Sequence, residues 1–331
     1  MLRIGMMSGW HVHARGYGEA LRDIPDVAIA AVWDEDPERG GEWAAELNVP
    51  YEAERDAFLA RKDLDGVVVC APTNRHGEVM VAAARAGKHI FTEKVMALTV
   101  KECQAIAEAV RQAGVKFGIS FPARTEPGFL FAKQAAEQRL IGEVTLLRVR
   151  FAHNGASAGW LPAHFYDPDA CGGGAMMDLG AHPMYLARWI MGRPVRIVSG
   201  FSNVTGHAVE DNSVSVIEFE NKGLAVVETG FVSTHSPSTL ELHGTEGCLV
   251  VGGPAGGVQL ISTKEGLSEK GWHSPDSLPE RLPSPLRMWV DGILNDRPIT
   301  FGLEEGTQLT ELMEAAYASY REGRQVEIPQ R

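Results

Sequence analysis

Five short apolar runs alternate with helical stretches across the first 120 residues, and this alternation constrains the fold more than any other feature. Residues 2–7, 27–33, 67–70, 89–92 and 116–120 read as strands. The run 27–33 is apolar on both faces, as a buried parallel strand should be, and Val67-Val68-Val69-Cys70 is sharply ended by Pro72. Between them, residues 12–22, 38–47, 77–86 and 100–113 read as helices. The third stops at Gly87, a natural C-cap. The fourth places Cys103, Ile106, Ala107 and Val110 on one face and stops at Gly114. A strand–helix rhythm of this kind predicts a parallel, doubly wound sheet with helices on both faces.

The rhythm changes after Pro122. Residues 127–140 read as a helix and 143–153 as a long strand, followed by an irregular loop over 154–173 rich in Gly, Ala, Pro and aromatics. Strand-like runs then follow at 194–204, 212–220, 223–233, 238–243 and 247–251, and residues 303–322 read as a closing helix. Runs joined by short turns such as Asn221-Lys222-Gly223 predict a large, mainly antiparallel open sheet. The chain of 331 residues is too long for one ordinary core. The expected division is 1–122, a dinucleotide-binding domain, and 123–331, an α/β domain for substrate binding and oligomerisation.

Bulk properties exclude several function classes. A net charge of −12 lacks the basic footprint of a nucleic-acid or anionic-membrane binder. Cys70, Cys103, Cys171 and Cys248 form no CxxC pair, which argues against a zinc site or disulfide framework and fits a reducing cytoplasm. No signal peptide is readable at the N-terminus, and no run approaches the roughly 18 apolar residues of a membrane span.

A strand–turn–helix at the N-terminus can hold a pyrophosphate on free helix N–H groups. The usual GxGxxG would fall at Ser8-Gly9-Trp10-His11-Val12-His13, which has glycine at none of the three expected places. Trp10 is bulky there, and either narrows the pyrophosphate approach or swings out to cover the cofactor. Asp34, ending the second strand, stands where a carboxylate accepts hydrogen bonds from an adenosine ribose diol and repels a 2′-phosphate. NAD is therefore expected over NADP, the alternative for Asp34 being an ordinary strand-end turn residue.

Lys94 follows the fourth strand, at the sheet end where open α/β sheets bind ligands. An ammonium there can hydrogen-bond a substrate hydroxyl or hold the cofactor ribose. Asp178 and His182 are four apart, so on one helix they share a face, and histidine suits a proton acceptor near neutral pH. Pro183 disfavours helical geometry at His182 and predicts a local kink. The preceding Gly172–Gly174 triplet permits close approach to a ligand or forms a flexible loop. A lysine, an aspartate and a histidine beside a nucleotide site point to moving a hydride and a proton at a carbon–oxygen bond. His153, Asn154, Trp160, His164 and Phe165, in or around the irregular loop, suit sugar faces and hydroxyls, with packing as the alternative. His11, His13 and His76 fit no compact metal motif, so no metal is expected; His235 is unassigned.

The order of elements, Thr73-Asn74-Arg75-His76 after Pro72, Glu93-Lys94 and the Asp178-x-x-x-His182 motif after three glycines resemble the Gfo/Idh/MocA family. So do Gly142-Glu143-Val144, Glu210-Asp211 and His243-Gly244-Thr245-Glu246-Gly247. The resemblance runs over nearly the whole chain. It implies a Rossmann domain, a second domain whose open sheet assembles a homodimer or homotetramer, and NAD(P)-dependent oxidation of a secondary alcohol of a sugar, sugar acid or cyclitol. It places Pro72, Thr73, Asn74, His76, Glu93 and Lys94 on the cofactor side, and Arg124 near cofactor and substrate, where a surface salt bridge is the competing reading. The chain departs from the family's E-K-P in having Val95. Two rivals stay open: an NAD-assisted lyase or glycoside-cleaving enzyme with transient oxidation, and a non-catalytic metabolite sensor.

Overall fold

The structure, a computed structural model, describes residues 1–329. In chain order its strands are β1 (Leu2–Met7), β2 (Val27–Trp33), β3 (Gly66–Val69), β4 (His89–Thr92), β5 (Phe117–Ile119), β6 (Val144–Ala152), β7 (Pro194–Ser202), β8 (Asn212–Phe219), β9 (Leu224–Gly230), β10 (Thr239–Gly244), β11 (Gly247–Gly252), β12 (Val258–Ser262) and β13 (Val326–Glu327). The α-helices are α1 (Ala14–Arg22), α2 (Pro37–Leu47), α3 (Arg55–Ala60), α4 (His76–Arg85), α5 (Val100–Ala113), α6 (Pro127–Glu137), α7 (Pro168–Cys171), α8 (Ala175–Asp178), α9 (Ala181–Met191), α10 (Pro285–Leu294) and α11 (Leu303–Glu322). They form two compact units: Met1–Ser120 with Pro283–Thr310, and Phe121–Leu282 with the stretch from Glu311.

The first unit is a five-stranded parallel sheet in the order β2-β1-β3-β4-β5. Its helices start and stop where local chemistry demands. Thr99 and Glu102 form a reciprocal capping box at α5, and Gly114 ends that helix at φ +66°. Asp36 caps α2 by accepting from the Glu38 and Arg39 N–H groups, with Pro37 at the first helical position. The core gathers Ile4, Met6, Val68 and Phe91 from the sheet and Leu21 and Trp43 from the helices. Leu286, Trp289 and Val290 of α10 join it. A Cβ on Gly118 would lie 2.9 Å from Trp289, so glycine in β5 lets this helix close on the sheet. The chain leaves the first unit after Ser120, and residues 283–310 return to it because α10 completes its apolar core.

The second unit is an eight-stranded sheet in the order β12-β11-β10-β6-β9-β8-β7-β13. Only the β6–β9 pair is parallel, so the sheet is mainly antiparallel, as expected. Alternation is clear in β8: Ser213, Ser215, Ile217 and Phe219 are buried, while Val214 between them is exposed. Helix α9 packs against β6 and β9. Three features depart from expectation. Helices α3 and α10 and strands β12 and β13 had no reading of their own. The 127–140 helix ends at Glu137. The Asp178/His182 helix is two pieces, α8 and α9, separated by Leu179 and Gly180.

Candidate active site

In the first unit the candidate groups stand at the ends of β1, β2, β3 and β4. The turn after β1 is held by side chains rather than opened by glycines. Ser8 sits at φ +71° and is fully buried. Its Oγ accepts the Trp10 N–H at 3.1 Å and donates to Glu35 Oε1 at 3.0 Å. A serine therefore occupies a left-handed position that favours glycine, with hydrogen bonds offsetting the cost. Gly9 donates its N–H to Asp34 Oδ2 at 2.7 Å. Trp10 and His11 are buried and Val12 is exposed on the turn.

Asp34 is buried and saturated. Besides Gly9 it accepts from the Asp36 N–H at 2.9 Å, from Arg39 Nε at 3.0 Å and from Arg39 Nη2. Its carboxylate anchors the turn and Arg39, so a ribose diol reaches it only if Arg39 yields. The neighbour that sequence reasoning passed over is Glu35. Its Oε1 is engaged by Ser8 and Arg39, while Oε2 is buried with no hydrogen-bond partner among the described residues. Burial, then the Asp34 charge, raises the Glu35 carboxyl above its ordinary value. Glu35 lines a cleft of about 350 Å³ with Trp33, Pro37, Arg55 and Arg75. A buried carboxylate oxygen without a donor is costly, and a ribose hydroxyl would satisfy it.

The segment after β3 divides. Thr73 is half-buried and Asn74 exposed, available at the strand end. His76 turns inward: its Nδ1 and Nε2 lie 2.9 and 3.0 Å from the Val95 and Ala71 carbonyls. Burial lowers its pKa against the pull of those carbonyls, and the ring, held between two carbonyl oxygens, braces the strand end rather than facing a cofactor. Pro72 is buried beside it. The Lys94–Val95 peptide is cis.

Glu93 is the hub of this end of the sheet. Its Oε1 accepts from His13 Nδ1 at 3.0 Å and from the Tyr17 hydroxyl, and its Oε2 accepts the Lys94 N–H at 3.1 Å. Burial pushes the carboxyl up, but His11, the His13 hydrogen bond and Lys94 outweigh that and hold it well below the usual carboxylate range. His11, His13 and Glu93 have ligand atoms within 4.8 Å of one another, close enough to meet on a cation. In this structure, however, His11 Nδ1 accepts the His13 N–H at 3.2 Å and His13 Nδ1 is engaged by Glu93.

In the second unit, Asp178 ends α8 and His182 is the second residue of α9. His182 Nδ1 lies 2.9 Å from the Tyr185 hydroxyl, which accepts the Ala123 N–H at 3.1 Å. Its ring stacks on Phe151 at 5.5 Å, and Tyr185 stacks on Phe121 at 4.4 Å. The imidazole is thus fixed from two sides. Asp178 and buried surroundings act on Cys171: burial first, then the Asp178 charge, push that thiol up to about 12.

The glycine triplet serves packing. A Cβ on Gly173 would lie 1.9 Å from the Tyr317 hydroxyl, and one on Gly174 would lie 2.0 Å from the Glu210 carbonyl. Glu210 Oε1 accepts the Gly174 and Met176 N–H groups, both at 3.0 Å, and the Tyr317 hydroxyl at 2.6 Å. It holds the start of α8, and with it Asp178.

The remaining candidates disperse. Arg124 stacks over Trp189, 4.8 Å from the ring centroid. Phe165 is buried with Leu161, Ala175 and Phe231 and is a packing residue. The His164 carbonyl accepts the Cys171 thiol. Exposed Trp160 donates to Asn154 Oδ1 at 3.0 Å. His153 stacks on Phe231 at 4.8 Å. With Asn154, Ser233 and the previously unassigned His235, His153 lines an open cleft of about 540 Å³.

Comparison with known proteins fits this geometry. Residues 4–121 match the oxidoreductase family with an NAD-binding Rossmann fold, and residues 129–250 match the GFO/IDH/MocA C-terminal domain. The chain is 26% identical to scyllo-inositol 2-dehydrogenase (NAD(+)) of Bacillus subtilis, over 76% of this chain and 72% of that protein. It is 26% identical to myo-inositol 2-dehydrogenase of Thermotoga maritima, over 94% of each. Among solved structures, GenD2 from gentamicin A biosynthesis in complex with NAD is 27% identical, with TM-score 0.84 over 99% of this chain and 97% of that one. Levoglucosan dehydrogenase with NADH and levoglucosan shares the fold at TM-score 0.87 and 21% identity, over 99% and 100%. A parallel nucleotide-binding sheet with Lys94 at its rim, a second unit with a mainly antiparallel sheet and with Asp178 and His182 on its helices, and matches along both place this chain in the GFO/IDH/MocA family of NAD-binding oxidoreductases.

Proposed function

We propose that this chain is an NAD-dependent dehydrogenase that oxidises a secondary alcohol of a cyclitol, sugar or sugar acid. One observation carries the reading: a lysine, Lys94, held by its own N–H on an ionised carboxylate at the C-terminal rim of an NAD-binding sheet. The inositol and levoglucosan dehydrogenases among its relatives support the substrate class.

The residues present fit the cofactor. Glu35 Oε2, buried and without a donor, suits a ribose hydroxyl, and the turn 9–12, Thr73, Asn74 and Lys94 would hold the rest. When bound, NAD supplies the hydride acceptor. Lys94 polarises the substrate oxygen and favours its deprotonation. His182, oriented by Tyr185 and Phe151, accepts a proton. Asp178 positions the substrate, and Arg124, His153, Asn154 and Trp160 offer polar and aromatic contacts to it. The test is NADH formation across a panel of polyols and sugars, then Lys94→Ala and His182→Ala on the best substrate. Each variant should lose at least about 100-fold in turnover. Near-normal rates would make the residue structural, and turnover without net NADH would favour transient oxidation.

The same reading includes self-assembly. On one face of the second sheet Val198, Val214 and Leu224 are exposed, beside an ion-pair network of Arg148, Arg150, Glu228 and Glu241. A half-apolar sheet face of this kind suits a symmetric interface, giving a dimer or tetramer. A light-scattering mass near the 35.9 kDa of one chain would remove that part. Among the described residues no helix is long and apolar enough to cross a membrane. The four cysteines are free, which suits the cytoplasm.

A further inference from the structure

We propose that His11, His13 and Glu93 form a binding site for one divalent transition-metal ion of the zinc class. The inference goes beyond the dehydrogenase reading and does not depend on it. One ligand atom from each of the three residues lies within 4.8 Å of the other two. Two imidazoles and one carboxylate are a donor set of catalytic zinc sites. Imidazole also selects zinc-class ions over Mg²⁺ and Ca²⁺, which take oxygen ligands.

The fold gathers the donors from two strand ends. His11 and His13 lie in the turn between β1 and α1, and Glu93 directly follows β4. The turn sets the two rings side by side, with centroids 4.7 Å apart and planes at 55°. His11 is buried, and its Nδ1 accepts the His13 N–H at 3.2 Å, which ties that ring to the turn. The Glu93 side chain is 1% exposed and that of His13 51% exposed, with 3.0 Å between Oε1 and Nδ1. Donor atoms about 2.1 Å from a tetrahedral zinc lie about 3.4 Å from one another. The Glu93–His13 pair already stands near that spacing, and His13, half in water, has room to adjust to the third donor.

Glu93 is oriented as a ligating carboxylate needs to be. The Tyr17 hydroxyl donates to Oε1 and also bonds Ser120 Oγ at 2.7 Å, and the Lys94 N–H donates to Oε2 at 3.1 Å. Outer partners of this kind fix a ligand's direction. An ionised carboxylate offers about four lone-pair positions. Tyr17 and the Lys94 N–H use two, and His13 uses a third. The ion takes the place of the hydrogen now shared by His13 and Glu93, and that proton leaves to solvent. Three protein donors keep one position for water or for an oxygen of a bound ligand. His76, the third histidine of the sequence reading, takes no part, because its nitrogens lie against the Val95 and Ala71 carbonyls. Spacing in the sequence did not reveal the site because the carboxylate is 80 residues from His13.

Titration of Co²⁺ into the full chain, after dialysis against a chelator, tests this. Wild type should bind one Co²⁺ per chain, with the visible bands of a low-coordinate ion held by nitrogen and oxygen. Zn²⁺ should displace it and excess Mg²⁺ should not, and the bound ion should raise the melting temperature. Binding should be lost in His13→Ala and weakened about 10- to 100-fold in Tyr17→Phe, which removes an outer partner. His273→Ala, in the second unit, should bind as wild type does. No binding by wild type, binding that survives His13→Ala, or binding lost in His273→Ala would each overturn the proposal. So would a near-ultraviolet thiolate-to-cobalt band, which would move the ion to a cysteine such as Cys248, 3.4 Å from His243 Nδ1. That band is read on wild type alone, so it decides between the two places even if a variant fails to fold. No step uses turnover: a failed polyol screen would count against the dehydrogenase reading and leave the metal site standing.

Discussion

Cofactor discrimination should reside in Glu35 rather than Asp34. Asp34 is bonded by Gly9, Asp36 and two nitrogens of the Arg39 guanidinium, whereas Glu35 keeps one buried oxygen without a donor. A hydroxyl bonding a charged acceptor is worth about 1.5–3 kcal/mol net, or about 10- to 150-fold in affinity. A 2′-phosphate near the same carboxylate meets repulsion of about 3 kcal/mol per pair of unit charges at about 5 Å and an effective dielectric of about 20. Glu35→Gln keeps an acceptor and removes the charge. It should weaken NAD only a few-fold yet lower the NAD-to-NADP affinity ratio by about 10-fold or more. Glu35→Ala should cost NAD the full hydroxyl bond, and 2′-deoxyadenosine NAD should bind wild type about as weakly as NAD binds that variant. Calorimetric titration reads all of these without turnover. An unchanged ratio in Glu35→Gln, alongside a collapse in Asp34→Asn without loss of fold, would return the role to Asp34 and refute the reasoning.

Two further outcomes concern buried carboxylates. Glu210→Ala orphans the Gly174 and Met176 N–H groups and the Tyr317 hydroxyl. At about 1–3 kcal/mol per unsatisfied group it should lower the melting temperature clearly, and unaltered melting would show that water replaces the carboxylate at no cost. Glu93 has a folded-state pKa below its ordinary 4.5. Its contribution to stability is therefore present above that pH and is lost as pH falls below it. Wild type should lose thermal stability on acidification through that range faster than Glu93→Gln, and parallel acid profiles would contradict the assignment.

Much of the fold is local and was legible. The alternation of β1 to β5 with their helices needs only apolar period and end signals. Helix α5 is the clearest case, because its apolar stripe and Gly114 lie within one segment. The same holds for α11, which spans the expected 303–322; in β8 the alternation was legible but not its sense, because Ser213 and Ser215 are buried and Val214 is exposed. Lys94, Asp178 and His182 stood out because those residue types at those places have few other uses.

What the chain alone determined, then, was the kind of sheet each half makes and which side chains are candidates for chemistry. The tertiary structure decided what those side chains touch. Among the adjacent carboxylates Asp34, Glu35 and Asp36 the sequence favours Asp34 by its place at the end of β2; only Arg39, folding back from α2, saturates Asp34 and leaves Glu35 with an open oxygen. His76 reads as a ligand-facing histidine until the Val95 and Ala71 carbonyls enclose it. His13 and Glu93 are remote in the chain and meet because β1 and β4, on either side of β3 in one parallel sheet, end at the same rim. Helix α10 rejoins the first core because Gly118 leaves room for Trp289. Each of these is a contact between residues distant in sequence, fixed by packing and by the need to satisfy buried polar groups, and neither requirement can be evaluated before the chain has closed on itself.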